Sequence, residues 1–196
     1  MPKDSIYPYG RIATLAKALR NAAVAPAICD AIMAGGEAVK LSSTNEQKAD
    51  WMRGAMERMD SLLDAETGKA VRESCACSLG GKRGEICREI AKKHALLEER
   101  VAAANEAKYV FGQGVERLSD GRLQVRFFPE GQESYRCVCL RGADQPISVT
   151  YCYCCGGHIK HHLQTALGRP LRMSAKSTAL ASGGKEPCTF LFEIVE

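Results

Sequence analysis

The segment YCYCCGGHIKHH, residues 151–162, packs three cysteines and three histidines into twelve positions of a 196-residue chain that has four histidines in all. Thiolate and imidazole are preferred ligands of zinc and of softer metals, and they are also partners in nucleophilic catalysis. Gly156 and Gly157 open a helix that carries the histidines. Cys154 and Cys155 then stand just before its N-terminus, where unpaired N–H groups and the helix dipole favour a thiolate. At about 100° per residue, His158 and His162 lie about 40° apart, with His161 about 60° away on the other side of His158. His162 borders the apolar stripe Ile159, Leu163, Ala166 and Leu167 and leans inward, whereas His161 leans toward solvent. Cys154, Cys155, His158 and His162 therefore form the candidate metal site, with an open position where bound water could act as nucleophile. A metal-free Cys–His pair and plain polar histidines on an exposed helix are the competing readings of the same residues.

Two more cysteine groups stand apart in the chain. Cys75 and Cys77 sit in a glycine-containing loop that leads into the helix bearing Cys87, and they are candidate lid or second-site ligands. Cys137 and Cys139 fall on an alternating stretch that reads as a strand, as do Cys152 and Cys154. Residues i and i+2 of a flat strand are about 6.6 Å apart. Two thiolates on one tetrahedral zinc lie about 3.8 Å apart, so neighbours across two strands share an ion more easily than neighbours along one. The expectation is that the strands of Cys137 and Cys152 pair antiparallel and present a sulfur-rich wall. Cys137, Cys139 and Cys152 are then further candidate ligands, or inert core cysteines. His94 falls on the apolar seam of a helix over 85–105 and is expected to be buried and away from any metal.

The rest of the chain bounds the classes. A net charge of +4 is mild and is spread without a block of like charge, which argues against nucleic acid as a partner. The N-terminus has no apolar core of a secretory signal, and no stretch approaches the ~18 apolar residues of a membrane span. A cytoplasmic location follows as the expectation. In a reducing compartment, ten cysteines point to metal or thiol chemistry rather than to a disulfide frame. The spacing predicts helices over 9–23, after Pro26, after Ser43–Thr44 with Trp51, Ala55, Met59 and Leu62 on one face, and over 65–73. From Lys108 the pattern turns to strands: LQVRFF, SYRCVCL and 147–153, then a helix over 157–167, then strands over 171–181 and 189–195. Pro129-Glu130-Gly131-Gln132 reads as a turn between the first two. The class is α+β: a helical region, 1–106, packed on an antiparallel sheet with one helix, 107–196, as one integrated domain.

The C-terminal half also carries a resemblance. Cys152, Cys154 and Cys155, then Ala166-Leu167-Gly168, Gly183-Gly184, and Cys188, Phe190, Phe192, Glu193 and Ile194 resemble the 4-vinyl reductase-type small-ligand-binding domain. That resemblance implies a fold similar to vesicle-tethering subunits, a homodimer, and a pocket for a hydrophobic or tetrapyrrole-like small molecule. With CACSLGGKRGE and VRFFPEG, the full chain looks like an uncharacterised cysteine-rich prokaryotic family, some of whose relatives carry an aminothiazoline-carboxylate hydrolase label. The additional histidines and the Cys75–Cys77 loop depart from the ligand-binding pattern and point toward a metal. The expectation is a zinc-binding protein with a small-organic-ligand pocket, a hydrolase if catalytic, with Glu85 or Glu193 as base. The alternatives are an iron–sulfur cluster on the same cysteines, or a metal-free, dimeric ligand-binding module.

Overall fold

Local signals set the helices of the first half. The computed structural model describes residues 6–127 and 136–195. Helix α1 (Gly10–Asn21) buries Ile12, Leu15, Ala16, Ala18 and Leu19 at helical spacing. Helix α2 (Pro26–Met33) starts on a proline, whose missing N–H costs nothing in a first turn. Helix α3 (Asn45–Leu62) has a full capping box: the Thr44 hydroxyl accepts from the Gln47 N–H, and the Gln47 side chain accepts from the Thr44 N–H. Its buried face is Ala49, Met52, Ala55, Met56 and Met59; Leu62, expected on that face, is 42% exposed. Helix α4 (Ala65–Ser74) is capped by Asp64, which accepts from the Thr67 N–H.

The single helix expected over 85–105 is two, α5 (Gly81–Lys93) and α6 (Leu97–Glu106), followed by the short α7 (Lys108–Phe111). His94 is the C-cap of α5 rather than a seam residue, and it is half-buried, not buried. The break has a physical cause. The Arg100 guanidinium donates to the carbonyls of Ala91 and His94, which end α5, and to Leu167 at the end of the last helix. One side chain thus satisfies carbonyls that two helices leave open.

The sheet has four antiparallel strands in the order β1-β2-β4-β3: β1 (Val115–Arg117), β2 (Leu123–Phe127), β3 (Leu171–Ser177) and β4 (Cys188–Ile194). Its buried face is laid down in cross-strand rows. Val115, Val125, Phe190 and Ala175 are register partners in turn, as are Leu123, Phe192 and Met173. Helix α8 (Tyr153–Leu167) covers this face with Ile159, Leu163, Ala166 and Leu167. The α+β class and the antiparallel sheet agree with the sequence.

Two expected strands are absent among the described residues. Residues 136–140, with Cys137 and Cys139, form a loop with a turn, and residues 149–152 form a 3-10 turn that runs into α8. The proposed pairing of the Cys137 and Cys152 strands is therefore overturned. Ser148 accepts from the Thr150 N–H and starts the turn. A short apolar run such as ISVTYCY does not distinguish strand from buried helix by its pattern. The turn at Pro129–Gln132 lies outside the described residues. Among the described residues no helix is long and apolar enough to cross a membrane.

Candidate functional site

A cavity of about 390 Å³ lies where the first turns of α1, α5 and α8 meet the end of α4, the 137–139 loop and β4. Two glycines let α8 come close enough to form its floor. A Cβ on Gly157 would stand 2.5 Å from the Glu73 carbonyl oxygen of α4, and one on Gly156 would meet Met173 and Phe190 of the sheet. The ion pair between Lys160 and Glu73, 2.8 Å, fixes the same α4–α8 contact.

Seven of the ten cysteines line this cavity, and none of the ten is in a disulfide. Cys139 and Cys155 have sulfurs 3.7 Å apart. Cys137 neighbours Cys139, and Cys154 neighbours Cys155, each pair close enough to shift one another's acidity, so four thiols from two separate segments form one cluster. The cluster splits in acidity. The neighbouring thiols of Cys137 and Cys155 lower Cys139, and Arg11 lowers it further; the neighbouring Cys155 and then Arg72 lower Cys154. Cys137 and Cys155 are held up as thiols by those same neighbours and by burial. The cavity therefore presents thiolate character at Cys139 and Cys154, the form that ligates metals and attacks electrophiles. Cys75, at the C-cap of α4, is buried on the wall and pushed up by burial; Cys77 is exposed at the rim. Cys152 is buried, pushed up to about 12 by desolvation, and does not line the cavity.

The histidines do something else. His158 Nδ1 donates to the Cys77 carbonyl at 2.6 Å, His162 Nε2 to the Ser78 carbonyl at 3.0 Å, and His161 Nε2 to the Leu79 carbonyl at 3.0 Å. Three rings on one helix thus hold three successive carbonyls of one loop, in which Ser78 has a left-handed backbone, φ +55°. His162 is fully buried and His161 is exposed, as their angles on the helix require. Burial lowers the pKa of both His158 and His162. His158 also lines the cavity, and its Nδ1 bond leaves Nε2 with a lone pair. The Nδ1 of His162 is buried without a partner. Among the described residues no three histidine, cysteine or acidic side chains stand as placed around a metal ion.

Three arginines, none of them among the candidate residues read from the sequence, also line the cavity. Arg72 is 3% exposed, donates to the Tyr151 carbonyl at 3.0 Å, and lies 4.8 Å from the centre of the Tyr151 ring. Arg11 donates to the Cys139 carbonyl and to the Tyr151 hydroxyl. Arg83 stacks on Tyr109, 4.6 Å from its ring centre. A signal for Arg72 did exist: the buried face of α4 is Gly68, Val71 and Arg72, with Cys75 next, so an arginine occupies a core position. Glu85 and Glu193, the expected bases, do not line the cavity.

No curated protein and no solved structure matches the chain. A family model matches residues 13–174, a span that includes most of the cavity wall and the whole histidine strap. The chain belongs to the family of unknown function DUF6144.

Proposed function

We propose that the protein binds a thiophilic metal ion, zinc first, on the sulfur cluster of the cavity wall, and a small organic ligand in the space beside it. One observation carries the metal: the 3.7 Å between the sulfurs of Cys139 and Cys155. Two thiolates on one tetrahedral zinc lie about 3.8 Å apart. Cys137 and Cys154 each neighbour one member of that pair, so side-chain rotations would close a four-sulfur shell. Cys154 and Cys155 keep the ligand role expected of them, and Cys137 and Cys139 join them. His158 is the reserve ligand, because a ligating imidazole commonly gives its other N–H to a carbonyl, as His158 does to Cys77. His162 spends its Nε2 on the Ser78 carbonyl and serves the loop.

A closed four-sulfur shell makes a structural ion, and three sulfurs with an open position make a catalytic one that can activate water for hydrolysis. The same cysteines suit an iron–sulfur cluster. A second reading, a metal-free and dimeric ligand-binding module like the 4-vinyl reductase-type domain, is favoured by the size of the cavity and its apolar walls. Elemental analysis of tag-free protein, purified in air with zinc and anaerobically with iron, separates them. About one zinc per chain, or several irons with matching sulfide, is expected for wild type, with loss in Cys139→Ser and Cys155→Ser and retention in His161→Ala. Metal-free protein from both preparations leaves the ligand-binding module.

A further inference from the structure

The charges on the cavity wall do not balance. Arg11, Arg72 and Arg83 bring three positive charges, and no aspartate or glutamate lines the cavity among the described residues. The sulfur cluster can offset two. Four thiolates around a divalent ion carry two net negative charges; without the ion, each sulfur–sulfur hydrogen bond needs a proton on one member. At least one positive charge remains in either case. Arg72 is 3% exposed, and its Nε–H has no acceptor. A buried donor is rarely left in that state unless something else meets it. Arg83 makes no ion pair among the described residues and is held flat against Tyr109 at the rim. The wall also carries apolar side chains, Met52, Val110, Phe127, Ile159 and Phe190.

We infer that the ligand of this cavity is a small organic monoanion, a carboxylate or sulfonate on an apolar body, whose acid group is held by Arg72 and Arg83. The inference rests on the cavity being the ligand site and is independent of the metal. Guanidinium forks match the two oxygens of such a group, and the low-dielectric walls strengthen the attraction. The apolar side would bury the body, as in small-molecule sites generally.

Two fluorescent probes with the same body test it: anilinonaphthalene sulfonate, an anion, and N-phenylnaphthylamine, which lacks the sulfonate. Each is titrated into the full chain, with the metal content of the same sample measured. The expected result is one saturable site for the sulfonate, with the neutral probe at least tenfold weaker. Arg83→Met should weaken the sulfonate at least tenfold and leave the neutral probe unchanged. Arg72→Lys should act in the same direction, and Arg83→Met, at a partly exposed position, keeps the test valid if the buried variant does not fold. Neutral and anionic probes binding equally, or sulfonate affinity surviving Arg83→Met, would overturn the anion class alone. Failure of both probes would overturn the cavity as a ligand site and the anion class with it. Absence of metal in a sample that binds the sulfonate would overturn only the metal.

Discussion

The two chemistries of α8 point to different neighbours. At its first turn, Cys154 and Cys155 join Cys137 and Cys139 on a cavity wall, beside arginines that no acid neutralises. One and two turns later, His158, His161 and His162 reach three carbonyls of the 77–79 loop. The sulfur side leaves charge and ligating capacity unspent. The histidine side spends its donors on backbone and carries the fold, with His158 alone touching both. Residues that are adjacent in sequence and alike as ligands thus divide between a thiol-lined cavity and a loop held by imidazoles, and the division is set by which backbone lies opposite each of them.

If that division is right, the histidine side should fail in stability and the sulfur side in binding. The largest stability effect is expected for His162→Ala. It empties a fully buried position and strips the Ser78 carbonyl of its donor. A loss of about 2–4 kcal/mol by urea denaturation is expected, with metal content per folded chain unchanged. Retained stability with lost metal would move His162 to the sulfur side. Next is Gly157→Ala, whose methyl group would press on the Glu73 carbonyl. Overpacking there should cost about 1–3 kcal/mol, and a neutral result would mean that α4 and α8 are less tightly docked.

Acid should act on the histidine side. Burial lowers the pKa of His158 and His162 in the folded chain below the free value, about 6.5. Above that value the two rings are neutral in both states and their contribution to stability is whole. As pH falls through it, the unfolded chain takes up protons first, so stability drops until the folded-state values are passed. The rings are close, 4.6 Å between His158 and His162 and 5.3 Å between His161 and His162, so each proton opposes the next. The histidines should make melting temperature fall as pH drops below about 6.5. The His158→Gln, His162→Gln double variant should flatten that fall, and an unchanged slope would remove the histidines as its cause. The smallest effect belongs to His161→Ala, an exposed ring with one carbonyl bond, at about 0.5–1 kcal/mol.

Much of this was legible in the sequence, and the limits follow a pattern. Helices with a local cause were visible: the Thr44 capping box of α3 and the apolar spacing of α1. So were the strands around Phe190 and Val125, which alternate on one buried face. The stretches around Cys137 and Tyr151 were misread, because their alternation is short and a loop and a 3-10 turn bury the same residues. Helical angles gave the inward lean of His162 and the outward lean of His161, but their partners are loop carbonyls more than eighty residues away, and nothing in a side-chain pattern marks those. Cysteines announced the site by type. Arg72 did not, since arginine is common on surfaces and only its burial makes it informative here.

X-ray absorption at the metal edge of tag-free protein tests the sulfur cluster most directly. The expected spectrum has a first shell of three to four sulfur atoms at about 2.3 Å, as zinc thiolate sites have, reduced or lost in the Cys139→Ser, Cys155→Ser double variant. A shell dominated by nitrogen or oxygen, or no bound metal in protein loaded with zinc or iron, would contradict it.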